Sequence, residues 1–189
     1  MRLFRAIRTN IKTQGFGREN TFPALLAKYE SFGLRGHNGW DWAAITGEPI
    51  FWDSDRPGLV LETTIDSSGG LGVEVLSEEE RKYWKHRFWH LKEFRCKPGD
   101  HLQPGDLIGL ADNTGFSTGP HLHRDIKECD EYSNTLNWFN GYLGAIDITP
   151  YYRSIFVKDY ISTLPKQVSV LSQAIEVVKK LIALLKGHN

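Results

Sequence analysis

The sequence predicts a mainly β protein with α structure at its margins: a small antiparallel β-sheet domain plus a C-terminal amphipathic helix. Two observations carry this. From Gly36 to about Lys127, short apolar or alternating runs are broken by Gly, Pro, Asp and Asn. Several short strands with turn signals at such spacing indicate an antiparallel sheet. Residues 166–186 switch to helical spacing, with Val168, Leu171, Ile175, Val178, Ile182 and Leu185 alternating steps of three and four.

In chain order, residues 20–33 read as a short helix. Asn20 or Thr21 is placed to cap it, Pro23 suits its first turn, and Gly33 suits its end. The strands are expected at Trp40–Ala44, Pro49–Trp52, Leu59–Ile65, Gly72–Leu76, Arg87–Leu91, Leu107–Leu110 and His121–Lys127. Their breaks are turn clusters such as Ser68-Gly69-Gly70, Lys97-Pro98-Gly99-Asp100 and Asn113-Thr114-Gly115. Ser77–His86, rich in Glu, Lys and Arg, reads as a solvated excursion that helps line a groove. Residues 130–164 are aromatic and irregular, and read as packing at the domain edge.

The expected organisation is therefore an N-terminal segment over residues 1–35, a β domain over 36–160 and an amphipathic helix over 166–187. Beside the first apolar stripe of that helix lies a second: Val170, Ala174, Val177, Leu181 and Leu184. Burying each large side chain is worth about 1.5–3 kcal/mol. The helix is expected to find a partner, first by homo-oligomerisation, then on its own domain, and last at a membrane surface.

Composition narrows the function. The chain has 189 residues, with 23 basic and 23 acidic side chains and zero formal net charge. It lacks the positive field that nucleic-acid binding needs. No apolar run is long enough for a transmembrane span. The N-terminus, MRLFRAIRTNIKTQGFG, has basic residues but no apolar core, a poor match to a secretory signal. Localisation stays unknown on sequence alone. Cys96 and Cys129 form no CxxC pair. They read as two small buried side chains, a disulfide being open only outside a reducing cytosol.

The histidines carry the chemistry. There are seven, beside six tryptophans. His37 and Asp41 form H-x-x-x-D, entering a strand through Asn38-Gly39. His121 and His123 form H-x-H, and alternate strand residues project from one face, so both imidazoles reach one site while Leu122 points to the core. His90 adds a group from another strand. Two imidazoles and one carboxylate suit catalytic zinc, which keeps three protein ligands and an open position. Two further histidines suit a general base and an oxyanion stabiliser. His86, His101 and His188 lie in charged or terminal surroundings and read as solvated. Trp40, Trp42, Trp52 and Trp89 cluster near these motifs, most of them as core and the rest as groove wall. The run Gly115–Gly119 lacks the Lys of a phosphate loop and leads into a strand, so it reads as a turn setting the register of the H-x-H pair.

In order, these motifs are Gly36-His37-Asn38-Gly39-Trp40-Asp41, then Gly47-Glu48-Pro49-Ile50, then Phe88-Trp89-His90-Leu91, then Lys97-Pro98-Gly99-Asp100, then Gly105-Asp106-Leu107-Ile108-Gly109, and last Asn113 through Gly119-Pro120-His121-Leu122-His123. The chain from Gly36 to Lys127 thereby resembles the lysostaphin-type (LytM-like) zinc endopeptidases. The resemblance implies a sheet with one zinc (Zn2+) at the floor of a groove, held by His37, Asp41 and His123. It implies that His90 and His121 are the catalytic pair. It also implies peptidoglycan peptides as substrate, in the stem or the cross-bridge. Two departures stand out. Arg124 and Asp125 follow the H-x-H where the family usually has an aromatic or similar apolar residue and then Glu or another small or polar one. Glu48 replaces a common Thr. Strand alternation turns Arg124 away from the zinc, toward the outer face of the sheet. The other readings are a non-enzymatic wall-binding or scaffold module, and a phage-derived lysin component released without a signal.

Overall fold

A computed structural model describes residues 1–165, 175 and 177–179. Met1–Val157 form one compact unit and Lys158–Asn189 a second. Residues 157–165, 175 and 177–179 are helical. The amphipathic helix expected over 166–187 otherwise lies outside the described residues. Among those described, no helix is long and apolar enough to cross a membrane.

Eleven strands are described: β1 (Leu3–Arg5), β2 (Lys12–Gln14), β3 (Trp40–Ala43), β4 (Pro49–Phe51), β5 (Gly58–Asp66), β6 (Gly70–Glu79), β7 (Lys82–Phe94), β8 (His101–Leu102), β9 (Leu107–Ala111), β10 (His121–Cys129) and β11 (Tyr152–Phe156). Nine form one sheet, in the order β2-β3-β10-β7-β6-β5-β8, with β9 joining β7 to β4. Its pairings are antiparallel. β1 and β11 form a separate parallel pair. The N-terminal residues thus belong to the same unit as the sheet, β2 lying against β3.

The strands form because their side chains alternate between an apolar face and a polar one. On β10, Leu122 and Ile126 are fully buried. Trp40 and Trp42 of β3, Trp52, and Trp84 and Phe88 of β7 join them in one core. Each such burial contributes about 1.5–3 kcal/mol.

Ser77–His86 is not a solvated excursion. β6 and β7 run through it as a hairpin, with Glu79 opposite Lys82 and Ser77 opposite Trp84. The turn residues Glu80 and Arg81 both take positive φ, 51° and 65°. That is the geometry of a two-residue turn that matches strand twist, usually marked by Asn or Gly. Here the marker is missing from the sequence.

The helix expected at 20–33 is shorter and broken. Arg18–Asn20 and Pro23–Leu25 are 3-10 turns, and α1 covers Leu26–Ser31. No side chain caps it. Thr21 instead accepts the His37 backbone N–H at 2.7 Å and donates to the Gly17 carbonyl at 2.8 Å. Gly33 does end the helix, at φ 75°. Both cysteines are free, Cys129 buried and Cys96 half-buried.

Two charged residues are misplaced by the sequence reading. Arg124 does turn away from the site, but into the core and not to an outer face: it is 0% exposed. Its Nε and Nη2 donate to both oxygens of Asp53 at 3.0 Å. Nη2 also donates to His86 Nδ1 at 2.6 Å, and the guanidinium lies 4.4 Å from the Phe88 ring. His86, expected in solvent, is 0% exposed and donates through Nε2 to Ser77 at 2.7 Å. Burial, reinforced by the Arg124 charge, holds the His86 pKa well below the ordinary histidine range. The folded chain therefore keeps His86 neutral while the unfolded chain protonates it below about pH 6.5. Stability is expected to fall on acidification below that point, by about 1.4 kcal/mol per pH unit for this proton. Urea unfolding at pH 7.5 and 5.5 measures it, and His86→Gln should lose that share of the slope.

Candidate metal and catalytic site

β3, β10 and β7 lie side by side, and their register brings the predicted residues together. His123 is opposite Asp41 on one flank and Trp89 on the other. Cross-strand partners share a face. Asp41 and His123 therefore point to the side away from Trp40, Leu122, Arg124 and Phe88, and His121, two residues earlier, joins them. His37 arrives from the loop before β3, its backbone fixed by Thr21 and by a bridge to Gly17. Gly39 lets it approach: a Cβ there would sit 2.6 Å from the His123 ring.

His90 reaches this face through an irregularity. Val73 pairs with Phe88 and Leu71 with Leu91, so β7 holds one residue more than β6 across the interval. This is a β-bulge, which kinks a strand and re-aims a side chain. His90 sits in it at φ 64°, a conformation rare outside glycine. Simple alternation would have sent His90 into the core with Phe88.

Three donor atoms cluster. His37 Nε2 lies 3.0 Å from His123 Nδ1 and 3.2 Å from Asp41 Oδ1, and His123 Nδ1 lies 3.0 Å from Asp41 Oδ1. Two ligands each ~2.0–2.1 Å from a tetrahedral zinc stand ~3.3 Å apart. The triangle fits such an ion with little adjustment. All three residues are buried, so the ion would sit in a low-dielectric floor.

The remaining nitrogens are committed. His37 Nδ1–H donates to the Gly15 carbonyl at 2.8 Å, leaving Nε2 as a lone pair. His123 Nε2 faces Asp125 Oδ2 at 3.5 Å, leaving Nδ1 for the cluster. Such outer partners fix the tautomer and orientation of a metal-ligating histidine. His90 Nδ1–H donates to the Thr114 carbonyl at 2.6 Å, and His121 Nδ1–H to the Gly119 carbonyl at 2.8 Å. The two rings lie 4.5 Å apart, and His121 Nε2 is 3.7 Å from Asp41 Oδ2.

The electrostatics favour a cation. Burial opposes the Asp41 charge, but His37 and His123 hold its carboxyl well below the usual carboxylate range. Burial likewise opposes charge on His123, yet Asp125 and Asp41 outweigh it and raise its pKa to about 9. Burial, then His123 and His121, lowers the His90 pKa to about 3.

The loop 113–120 carries the carbonyls that hold His90 and His121. Thr114 Oγ1 donates to the Leu91 carbonyl at 2.8 Å and accepts the Leu71 N–H at 3.1 Å. Gly70 and Gly115 pass so close that a Cβ on Gly115 would lie 2.3 Å from the Gly70 nitrogen.

Two clefts, of about 280 and 240 Å³, meet here and share Tyr29, His90, Phe116 and His123 as lining. Tyr29 and Phe32 of the α1 region wall the groove, each edge-on to Phe116. The groove is not lined by Ser77–His86, but by Arg87 and Trp89 just after it. Trp40, Trp42 and Trp52 are core, as expected for most of the tryptophans. His101 is exposed, and His188 lies outside the described residues. Sequence reasoning missed Asp125, Thr21 and the Gly15 and Thr114 carbonyls. Asp125 alone had a signal, as the next residue after His123 on the same face of the strand.

Residues 35–135 match the model of peptidase family M23. The glycyl-glycine endopeptidase ALE-1 of Staphylococcus capitis is 36% identical over 93 residues, covering 48% of this chain and 25% of that protein. The peptidoglycan DD-endopeptidase ShyA of Vibrio cholerae is 34% identical over 90 residues, covering 48% of this chain and 20% of that one. The chain thus spans about a fifth to a quarter of the length of these curated relatives. A zinc-containing peptidase from Vibrio cholerae has a similar structure, with a TM-score of 0.54, 26% identity, and coverage of 77% of this chain and 39% of that one. The matched span runs over more than half of the chain and holds the whole cluster of donors and histidines, and the chain belongs to peptidase family M23.

Proposed function

We propose that the chain is a zinc-dependent endopeptidase that hydrolyses peptide bonds in bacterial peptidoglycan. The observation that carries this is the three-donor cluster of His37, Asp41 and His123, with His90 and His121 beside it. Family membership and peptidoglycan-cleaving relatives support the substrate class. His37 Nε2, Asp41 Oδ1 and His123 Nδ1 would hold the zinc. Zinc in that position supplies a Lewis acid and a water whose pKa is lowered toward neutrality.

The protein's own groups do the rest. His90 and His121 each give their Nδ1–H to a carbonyl, so each presents Nε2 to the groove. Those atoms accept a proton from the attacking water and return it to the leaving amine. Burial keeps His90 neutral, so its lone pair stays open at neutral pH. The two clefts receive the peptide on either side of the scissile bond. Self-association through residues 168–185 belongs to the same reading, supported by their apolar stripes alone.

The test is a purified, zinc-loaded chain incubated with peptidoglycan sacculi. New amines should appear, a chelator should stop their release, and added zinc should restore it. His101→Ala, altering an exposed histidine, should behave as the parent chain. A chain that takes up no zinc and releases no amines would instead favour the scaffold reading.

A further inference from the structure

We infer that Arg87 forms a carboxylate-binding subsite beside the metal donors, so the groove prefers a peptide with a free carboxylate on a residue flanking the scissile bond. This rests on the hydrolase reading and narrows its substrate class.

Arg87 stands on the groove face of β7, opposite Asp125 of β10. Its Nε donates to both Asp125 oxygens, at 2.9 and 3.1 Å. Asp125 in turn faces His123 Nε2 at 3.5 Å. The guanidinium is thus two side-chain contacts from a metal donor. Its outer edge is uncommitted: Nη1 and Nη2 meet no acceptor among the described residues, and the side chain stays 18% exposed. Arg87 lines the cleft of about 280 Å³. The Trp89 ring, 5.5 Å from Cζ, and the two-point hold of Asp125 restrict its plane.

A guanidinium with two free N–H groups in one plane binds a carboxylate in bidentate fashion. The neighbouring charges permit it. Asp125 is shared among Arg87, His123 and Lys127, and Glu74 pairs with Lys85 at 3.5 Å. Asp66, the acidic side chain lining this cleft, feels the Arg87 charge but makes no hydrogen bond to it, its Oδ1 accepting instead from the Ser68 N–H at 2.7 Å and from the Gly69 N–H. A residue flanking a stem-peptide cross-link can carry a free carboxylate there. A bond inside a glycyl bridge has none, so this geometry favours the stem class.

The experiment uses the zinc-loaded full chain and two synthetic cross-linked stem peptides. They differ only in a carboxylate or a carboxamide on the residue flanking the scissile bond. The acid should be cleaved with kcat/KM about tenfold to a hundredfold higher, chiefly through KM. Arg87→Gln is the matched variant. The Gln Nε2 falls at the bond count of the Arg Nε, so it can still donate to Asp125 while both Nη groups are gone. Its acid-to-amide ratio should fall to about one. A parent ratio near one, or an Arg87→Gln ratio equal to the parent's, overturns the proposal. If the parent cleaves neither peptide, the hydrolase reading fails on its own account. Calorimetric binding of the same two peptides then still reads the subsite, and equal Kd values overturn it.

Discussion

His123→Ala is expected to leave the protein without bound zinc and to lower peptide hydrolysis by at least about a thousandfold, on the order of 4 kcal/mol of transition-state stabilisation. His123 Nδ1 is one corner of the donor triangle, 3.0 Å from both of the others. Removing it leaves two donors on a buried floor, with His37 Nε2 3.2 Å and His121 Nε2 3.7 Å from the Asp41 carboxylate. The fold should survive, since His123 faces the groove while its strand neighbours Leu122 and Arg124 face the core. Two companion variants separate the roles. Asp125→Asn keeps the ligand but weakens its orientation, and should cost about 10–100-fold in metal affinity or activity. His90→Ala should keep its zinc and lose about 10²–10⁴-fold in turnover, the range for a lost proton-transfer group. Elemental analysis and steady-state kinetics on the three proteins give the comparison. A His123→Ala protein that retains one zinc and parental turnover would remove His123 from the site.

The three histidine motifs were legible because chemistry and period coincide in them. H-x-H on a strand has one geometric outcome, and the register of β10 against β3 delivers it. The seven strand positions read from short apolar or alternating runs between turn clusters all became strands, because each run supplies apolar side chains for the core and the turn residues bound it. What stayed hidden follows from the same logic. The hairpin through Glu80 and Arg81 uses positive φ at residues that do not announce it. The bulge at His90 breaks the period that sequence reading relies on, and nothing in Phe88-Trp89-His90-Leu91 marks the extra residue. The Gly15 and Thr114 carbonyls are backbone groups, common to every residue type. Tyr29 and Phe32 wall the groove against Phe116, and nothing in a short helix over 20–33 announces that role. Arg124 and His86 were placed by their polarity, and a charge that finds its partner inside the core defeats that inference.

Arg124→Met is accordingly expected to cost about 3–5 kcal/mol of folding stability, the range for removing one partner of a buried ion pair. Against a typical total of about 5–15 kcal/mol, that is a third or more for many domains. The loss has little to do with packing, since Met replaces much of the aliphatic part of the side chain beside Phe88. It comes from what is left behind. Asp53 is 2% exposed, burial works against its charge, and Arg124 is the group that compensates. His86 Nδ1 and the Asp125 carbonyl lose their donor in the same change. Removing Asp53 as well should return part of the loss, so Arg124→Met with Asp53→Asn should be less destabilised than the sum of the single variants, by about 0.5–3 kcal/mol. Because Arg124 lies between His123 and Asp125 on β10, its variant should also hold zinc less tightly, and saturating zinc should recover part of its stability through binding to the native state alone. Urea unfolding with and without zinc tests both statements. Simple additivity of the two substitutions would show that Arg124 and Asp53 act separately, and an Arg124→Met midpoint equal to the parent's would show that the buried charge contributes nothing.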